Sequence, residues 1–168
     1  MKSDTDPVLL FKDVCSNEVS NLLSRYGLTL KSIDDKDFPI PGSFWGDEEA
    51  GLIENQVYVR LDTPVHSILH ESCHYVCMDD KRRTELHTNA GGTADEENAV
   101  CYLQILLVDQ LSFMNRLKMM NDMDSWGYSF RLGSAKIWFE SDADDAYQWL
   151  TSYSLINKDS SVTFHLRS

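Results

Sequence analysis

The sequence has little positive charge and no long hydrophobic run. Its 168 residues include 27 acidic side chains against 15 Lys and Arg, which gives a formal net charge of −12. A surface of this sign repels phosphate backbones and anionic lipid, so we expect no nucleic-acid partner and no membrane partner. Its apolar runs, such as Ile105 to Val108, are far shorter than the ~20 residues that cross a bilayer.

Cysteine is also sparse, and the N-terminal segment lacks the features of a signal peptide. The four cysteines contain no CxxC pair and no spacing typical of a disulfide framework. The segment MKSDTDPVLLF carries one lysine, two aspartates and a very short apolar run, which is too little for a secretory signal. Both features favour a cytoplasmic protein with reduced thiols, and we expect Cys73 and Cys77 to be buried.

What remains is the composition of an ordinary globular protein. Hydrophobic residues make up 42% and charged residues 25% of the chain, and this length fits one domain. We therefore predict a single α+β domain over residues 1–168. Residues 112–155 favour further helices with breaks at Gly127 and Gly133, whereas 157–168 have the pattern of either a late strand or a flexible tail.

The first half of the chain predicts one helix and a small sheet. Apolar residues recur at helical spacing from Pro7 to Gly27, where Pro7 suits a first turn and Gly27 a C-cap. Residues 28–33 and 51–61 instead alternate between apolar and polar side chains, which is typical of strands. A hairpin turn at Glu54–Asn55 would divide the second of these segments.

One motif carries chemistry: His70-Glu71-Ser72-Cys73-His74, an HExxH pattern. We predict that it lies on a helix running from Pro64 to about Met78. His70 and His74 then lie one turn apart on one face and can share one metal ion. Glu71 lies about 100° further round, where it can take a proton from a metal-bound water and later protonate a leaving group.

A catalytic zinc site needs a third protein ligand and an open position for water. The acidic cluster Asp95-Glu96-Glu97 begins a second helix, in which Thr93 and Glu96 form a capping-box pattern. This helix can return alongside the first. Glu96 shares a face with an apolar stripe that would turn its carboxylate inward, whereas Glu97 shares a less uniformly apolar face with Cys101. Glu96 is therefore favoured, and Asp95 and Glu97 stay open.

The two segments together resemble a known family. HESCH with a downstream glutamate on an antiparallel helix is similar to the gluzincin group of zinc metallopeptidases. The run Glu96 to Tyr102 resembles the glutamate helix of small bacterial zincins, in which the ligand Glu is followed at three positions by Ala and at six by an aromatic residue, here Ala99 and Tyr102. Most of the chain also resembles an uncharacterised family of small bacterial zincin-like proteins, which brings no known substrate.

The resemblance implies a function and a fold. Zn²⁺ would be held by His70, His74 and Glu96, and Glu71 would be the catalytic base in the hydrolysis of a peptide or protein substrate. A small sheet would pack on the HExxH helix, and the glutamate helix would run antiparallel to it. By the same resemblance, residues 51–61 would supply an edge strand that receives an extended peptide.

Two questions stay open at this stage. The group that stabilises the developing oxyanion would be Tyr128, His87 or Arg131. His66, one turn before the motif, is a candidate fourth ligand, although a capping or surface role is favoured.

The chain is small and shows no specificity pocket, so the alternative function is a non-catalytic metal-binding domain, regulatory or interacting, that retains the zincin fold.

Overall fold

The computed structural model describes residues 7–34, 38–43, 47–86 and 91–168. Within these ranges the chain is α+β, as predicted, and its buried apolar side chains form one core. The helices are α1 (Ser16–Ser24), α2 (Val65–Cys77), α3 (Asp80–Thr84), α4 (Ala94–Leu107), α5 (Arg116–Trp126), α6 (Ala135–Ser141) and α7 (Asp144–Ser152). The strands are β1 (Thr29–Ile33), β2 (Gly51–Ile53) and β3 (Gln56–Arg60).

The three strands form a mixed sheet in the order β1-β3-β2. β3 is central: it pairs in parallel with β1 and antiparallel with β2, so that Val57 lies between Leu30 and Leu52. The hairpin turn lies at Glu54–Asn55, as predicted, and Glu54 has a φ of 54° there. Because Val57 and Val59 are fully buried, one face of β3 packs into the core.

Helix α2 lies at the centre of the molecule and begins directly after β3. Pro64 precedes its first turn in an extended conformation, and Met78 is extended again at its end, which confirms the predicted helix. Val65, Ile68 and Leu69 are fully buried. A helix enclosed in this way holds its polar side chains in fixed positions.

Helix α4 begins at the predicted cap and packs on α2. The Thr93 hydroxyl accepts a hydrogen bond from the Glu96 backbone N–H at 3.2 Å. Early in α4, the Glu97 carboxylate reaches His74, and two turns later Gln104 reaches His70, which precedes His74. The two helices therefore run antiparallel, as expected.

The N-terminal helix is shorter than the sequence predicts. The described chain is extended before a short 3₁₀ helix at Phe11–Asp13, and α1 begins only at Ser16. The reason is pairing with the segment that leads into α2: Phe11 N–H donates to Thr63 O at 2.8 Å, and Val65 N–H donates to Leu9 O at 2.9 Å. These long-range hydrogen bonds replace the local helical ones.

The C-terminal third is helical, with the predicted breaks. Gly127 ends α5 in a left-handed conformation with φ 108°, and Gly133 lies just before α6. In residues 157–168, Val162 forms an isolated bridge with Ile156, and Arg167 N–H donates to Val76 O at 3.0 Å. The segment is thus tied to the C-terminal end of α2. Within the described ranges, no helix combines the length and apolarity needed to cross a bilayer.

Candidate metal centre

Three side chains converge between α2 and α4: His70, His74 and Glu97. One ligand atom from each lies within 4.8 Å of the others. The two imidazole Nε2 atoms are 3.1 Å apart, and His74 Nε2 lies 3.5 Å from Glu97 Oε2. The structure thus brings together both predicted histidines and a carboxylate from the predicted acidic cluster.

Two of the three ligand-atom separations fit a metal ion, and the third lies within 4.8 Å. In a tetrahedral zinc site with bonds of about 2.0–2.1 Å, neighbouring ligand atoms are about 3.3–3.4 Å apart. The observed 3.1 and 3.5 Å bracket that value. Two imidazole nitrogens and one carboxylate oxygen are also a donor set that zinc accepts, with a fourth position left for water or substrate.

A glutamine fixes the tautomer of the first histidine. Gln104 is fully buried, and its Nε2 donates to the backbone carbonyl of His66 at 3.0 Å. Its Oε1 must therefore accept from His70 Nδ1, which lies 2.9 Å away. With the proton on Nδ1, the Nε2 lone pair of His70 is directed at the metal position. At many zinc sites a hydrogen-bond acceptor orients the ligating histidine in this way.

Burial also keeps both histidines uncharged. Desolvation is the main cause that lowers the pKa of His70, and it lowers the pKa of His74 well below its usual value. Neutral imidazole is the form that binds a metal. His74 Nδ1 is buried and has no hydrogen-bond partner among the described residues.

Glu97 lies in the first turn of α4 and is half-exposed. A backbone hydrogen bond from Gly92 holds its carboxylate, and this bond lowers its pKa. The larger effect is desolvation, which together with neighbouring Glu96 leaves the pKa of Glu97 above its usual value. A divalent cation beside it would favour the charged form.

Glu96, the ligand that the sequence favours, lies elsewhere. Its carboxylate is buried and pairs with Arg82 at 2.7 Å and with Arg167 at 3.3 Å. A Cβ on Gly92 would come within 2.6 Å of this carboxylate, so a side chain at position 92 would require the carboxylate to shift. Glu96 is therefore not part of the histidine group. Asp95, the other open candidate, is exposed and is also not part of it.

The predicted catalytic base lies beside the group in an open cleft of about 590 Å³. Glu71 is 9% exposed, and its carboxylate has no hydrogen bond or ion pair to any described residue. Desolvation, followed by the charges of Glu49 and Glu97, raises its pKa to about 8. The described lining of the cleft is Glu49, Ser67, His70, Glu71, Glu97, Asn98, Cys101, Trp126, Gly127, Tyr128, Ser129 and Phe130.

The three candidates for oxyanion stabilisation have different positions. Tyr128 lines the cleft, and its hydroxyl lies 3.1 Å from His66 Nδ1. Arg131 is exposed and pairs with Asp142 instead. His87 falls outside the described residues. His66 is fully buried rather than on the surface, and it does not belong to the metal group.

The remaining expectations concern the thiols and the edge strand. Cys73 and Cys77 are buried, as predicted, whereas Cys101 lines the cleft. Of residues 51–61, the β3 part is central in the sheet, so only β2 has an outer edge. On that edge, Leu52 N–H already donates to Gly42 O at 3.2 Å, and an added peptide strand would have to displace that contact.

Sequence reasoning missed two side chains of this site, Gln104 and Glu49. Glu49 Oε2 accepts from Ser67 Oγ at 2.6 Å, and its Oε1 accepts from Trp126 Nε1 at 2.5 Å. Gln104 had a detectable signal, since a polar side chain on the same helix face as Glu97 is unusual in a core helix. Glu49 had none, because its partners lie 18 and 77 residues further along the chain.

Comparisons with family models, with curated proteins and with solved structures give no match for this chain.

Proposed function

We propose that this protein is a zinc-dependent peptidase. The observation that carries the proposal is the HExxH geometry: His70, His74 and Glu97 converge on one point, and Glu71 lies beside them in an open cleft. Glu97 takes the third ligand position in this proposal, in place of Glu96. The resemblance to gluzincins and a zincin-like fold belong to the same proposal, supported by the antiparallel packing of α2 and α4.

The residues divide the chemistry between them. When bound, a zinc ion supplies a Lewis acid that polarises the scissile carbonyl and acidifies water. Glu71 takes a proton from the attacking water and then delivers it to the departing amine. Desolvation raises the pKa of Glu71 to about 8, and a cation beside it would lower this pKa, so that the carboxylate is available as a base near neutral pH.

Other groups would assist. Tyr128 presents a buried phenol at the wall of the cleft, and burial holds the pKa of this phenol well above its usual value. Its hydroxyl therefore stays protonated and can donate to a developing oxyanion. The four free cysteines support a reducing, cytoplasmic location.

The test compares wild type with Glu71→Gln. Both proteins are purified without a His tag, loaded with zinc, and measured for metal content and for cleavage of a broad quenched-fluorescent peptide library. We expect about one zinc per chain in both, chelator-sensitive cleavage by the wild type, and a loss of turnover of at least about a hundredfold in the variant, because the base is gone.

Glu140→Gln is the matched control, since Glu140 is an exposed carboxylate on α6 and its loss should change neither zinc nor turnover. Equal activity in Glu71→Gln would exclude the mechanism. Stoichiometric zinc with no cleavage by any of the three proteins would favour the alternative, a metal-binding domain without catalysis.

A further inference from the structure

The cleft contains three carboxylates and little to balance them. Glu49, Glu71 and Glu97 all line it, and no lysine or arginine belongs to its described lining. Glu49 is close enough to Glu71 to contribute to the electrostatic environment of that carboxyl. Like charges gathered at a partly desolvated site are unfavourable unless a cation joins them.

A metal ion at the histidine group accounts for two of these carboxylates but not for the third. Glu97 would bind the ion and Glu71 would lie beside it. Glu49 does not belong to the histidine group, so it is available to a second cationic group in the cleft.

Neutral donors hold Glu49 without neutralising it. Ser67 Oγ donates to Oε2 and Trp126 Nε1 donates to Oε1, while Ser67 itself accepts from Ala50 N–H at 2.9 Å. Each carboxylate oxygen keeps a further lone pair. Since Ser67 precedes Glu71 by one helical turn, the Glu49 carboxylate lies about one turn from the proposed base.

Two further features of the cleft point to a ligand. Glu71 is nine-tenths buried, lines the cleft and has no partner among the described residues. Trp126, which donates a hydrogen bond to Glu49, lines the cleft together with Tyr128 and Phe130. An aromatic face next to a carboxylate suits an alkyl stem that ends in a cationic nitrogen.

We propose that the cleft selects peptides that carry a positively charged nitrogen close to the scissile bond, and that Glu49 is the residue that determines this specificity. This inference rests on the proposed peptidase function. The nitrogen belongs either to a lysine or arginine side chain or to a free N-terminal amine, because both present the same cationic hydrogen-bond donor.

The experiment uses pairs of quenched-fluorescent peptides and the zinc-loaded protein. One pair exchanges lysine for norleucine, which keeps the alkyl stem and removes the charge, and a second pair compares a free with an acetylated N-terminus. We expect wild type to prefer one cationic member by about tenfold or more in kcat/KM, as a charged hydrogen bond allows. The pair that responds identifies the source of the nitrogen.

Glu49→Gln should reduce this preference to within about twofold, because the amide keeps the shape of the carboxylate but removes its charge. The readout is the ratio of kcat/KM between the two members of a pair, in which any effect common to both members cancels. Glu48→Gln is the matched control: it removes a charge from the adjacent residue, and Glu48 is not part of the described lining. The wild-type preference should also weaken with added salt. No preference in wild type, or a preference that survives Glu49→Gln, overturns the proposal.

Failure of the peptidase function is detected separately. If zinc-loaded wild type cleaves no peptide, binding of the same pairs is measured by calorimetry at low salt. A cationic preference that disappears in Glu49→Gln would then support the role of Glu49 in a non-catalytic cleft. Equal binding of charged and neutral members would overturn that role.

Discussion

Two glutamates that are neighbours in the sequence have opposite surroundings. Glu96 is buried and is held by Arg82 and Arg167, which come from α3 and from the C-terminal segment. Glu97 is half-exposed, lies beside His74, and contacts no arginine at ion-pair distance among the described residues. We call the first the arginine clamp (Arg82, Glu96, Arg167) and the second the histidine group (His70, His74, Glu97).

The contrast teaches that burial and function are separate properties of a helix face. The clamp pairs Oε2 of a buried carboxylate with two arginines, so its negative charge is already compensated, although Oε1 has no hydrogen-bond partner among the described residues. The histidine group gathers nitrogen lone pairs and a carboxylate without a positive partner, so it is suited to a cation. A side chain directed inward therefore need not be the one directed at the active site.

The sharpest test of this comparison is the zinc affinity of Glu97→Gln against Glu96→Gln. Removing a ligand charge should cost more than the ~10–100-fold typical of residues that only support ligands, so we expect Glu97→Gln to weaken zinc by at least about a hundredfold. Glu96→Gln should leave the affinity of the folded protein within about threefold. Competition with a chromogenic chelator measures both. The reverse pattern would restore Glu96 as the ligand.

The second prediction concerns the free energy of unfolding of the zinc-free protein, on which Glu96→Gln should have a larger effect than Glu97→Gln. Breaking a buried ion pair costs ~3–5 kcal/mol. Arg82 is 33% exposed and solvent can reach it, so we expect Glu96→Gln to cost about 2–4 kcal/mol. Glu97→Gln should change stability by less than about 1 kcal/mol. Urea unfolding checks both, and equal losses would mean that the clamp carries no special stability.

Local signals in the sequence predicted most of the fold. The boundaries of α2, the Thr93 cap, the hairpin turn and the glycine breaks all depend on residues a few positions apart. The predicted start of α1 was wrong because it depends on a distant contact: the Leu9 carbonyl accepts a hydrogen bond from Val65 N–H. Contacts across such a separation are set by tertiary structure, which one helical pattern cannot reveal.

The same difference between local signals and long-range contacts decides which residues of the site could be predicted. Spacing within one helix was enough to place His70, Glu71 and His74. Choosing between Glu96 and Glu97 needed the positions of the arginines, which lie 14 residues before and 71 residues after Glu96 in the chain. The apolar stripe correctly indicated that Glu96 is buried. The more polar face of Glu97 and Gln104 was the better indicator of the cleft, because a helix face that lines a polar site cannot be wholly apolar.

The third prediction tests Gln104, which bonds His70 of the histidine group, with the variant Gln104→Leu. Leucine fills a similar volume but leaves His70 Nδ1 without the acceptor that fixes its tautomer. Loss of such a supporting hydrogen bond typically weakens a metal site 10–100-fold, and we expect a loss of about that size. Gln104→Glu is the companion variant: it keeps an acceptor for His70 and should retain more affinity than the leucine. Equal affinities in wild type and Gln104→Leu would show that the tautomer is fixed in another way.

The smallest expected effect separates the clamp from an ordinary surface ion pair. The Arg167 side chain is 18% exposed and bonds both Glu96 and the carbonyl of Cys77, so Arg167→Gln should cost about 1–2 kcal/mol of unfolding free energy. Arg131 is 78% exposed, and Arg131→Gln should leave the unfolding free energy unchanged within the error of urea unfolding. Because neither arginine contacts the histidine group, zinc affinity should stay within about twofold in both. A large loss of zinc binding in Arg167→Gln without a loss of stability would show that the clamp positions Glu97 as well as stabilising the fold.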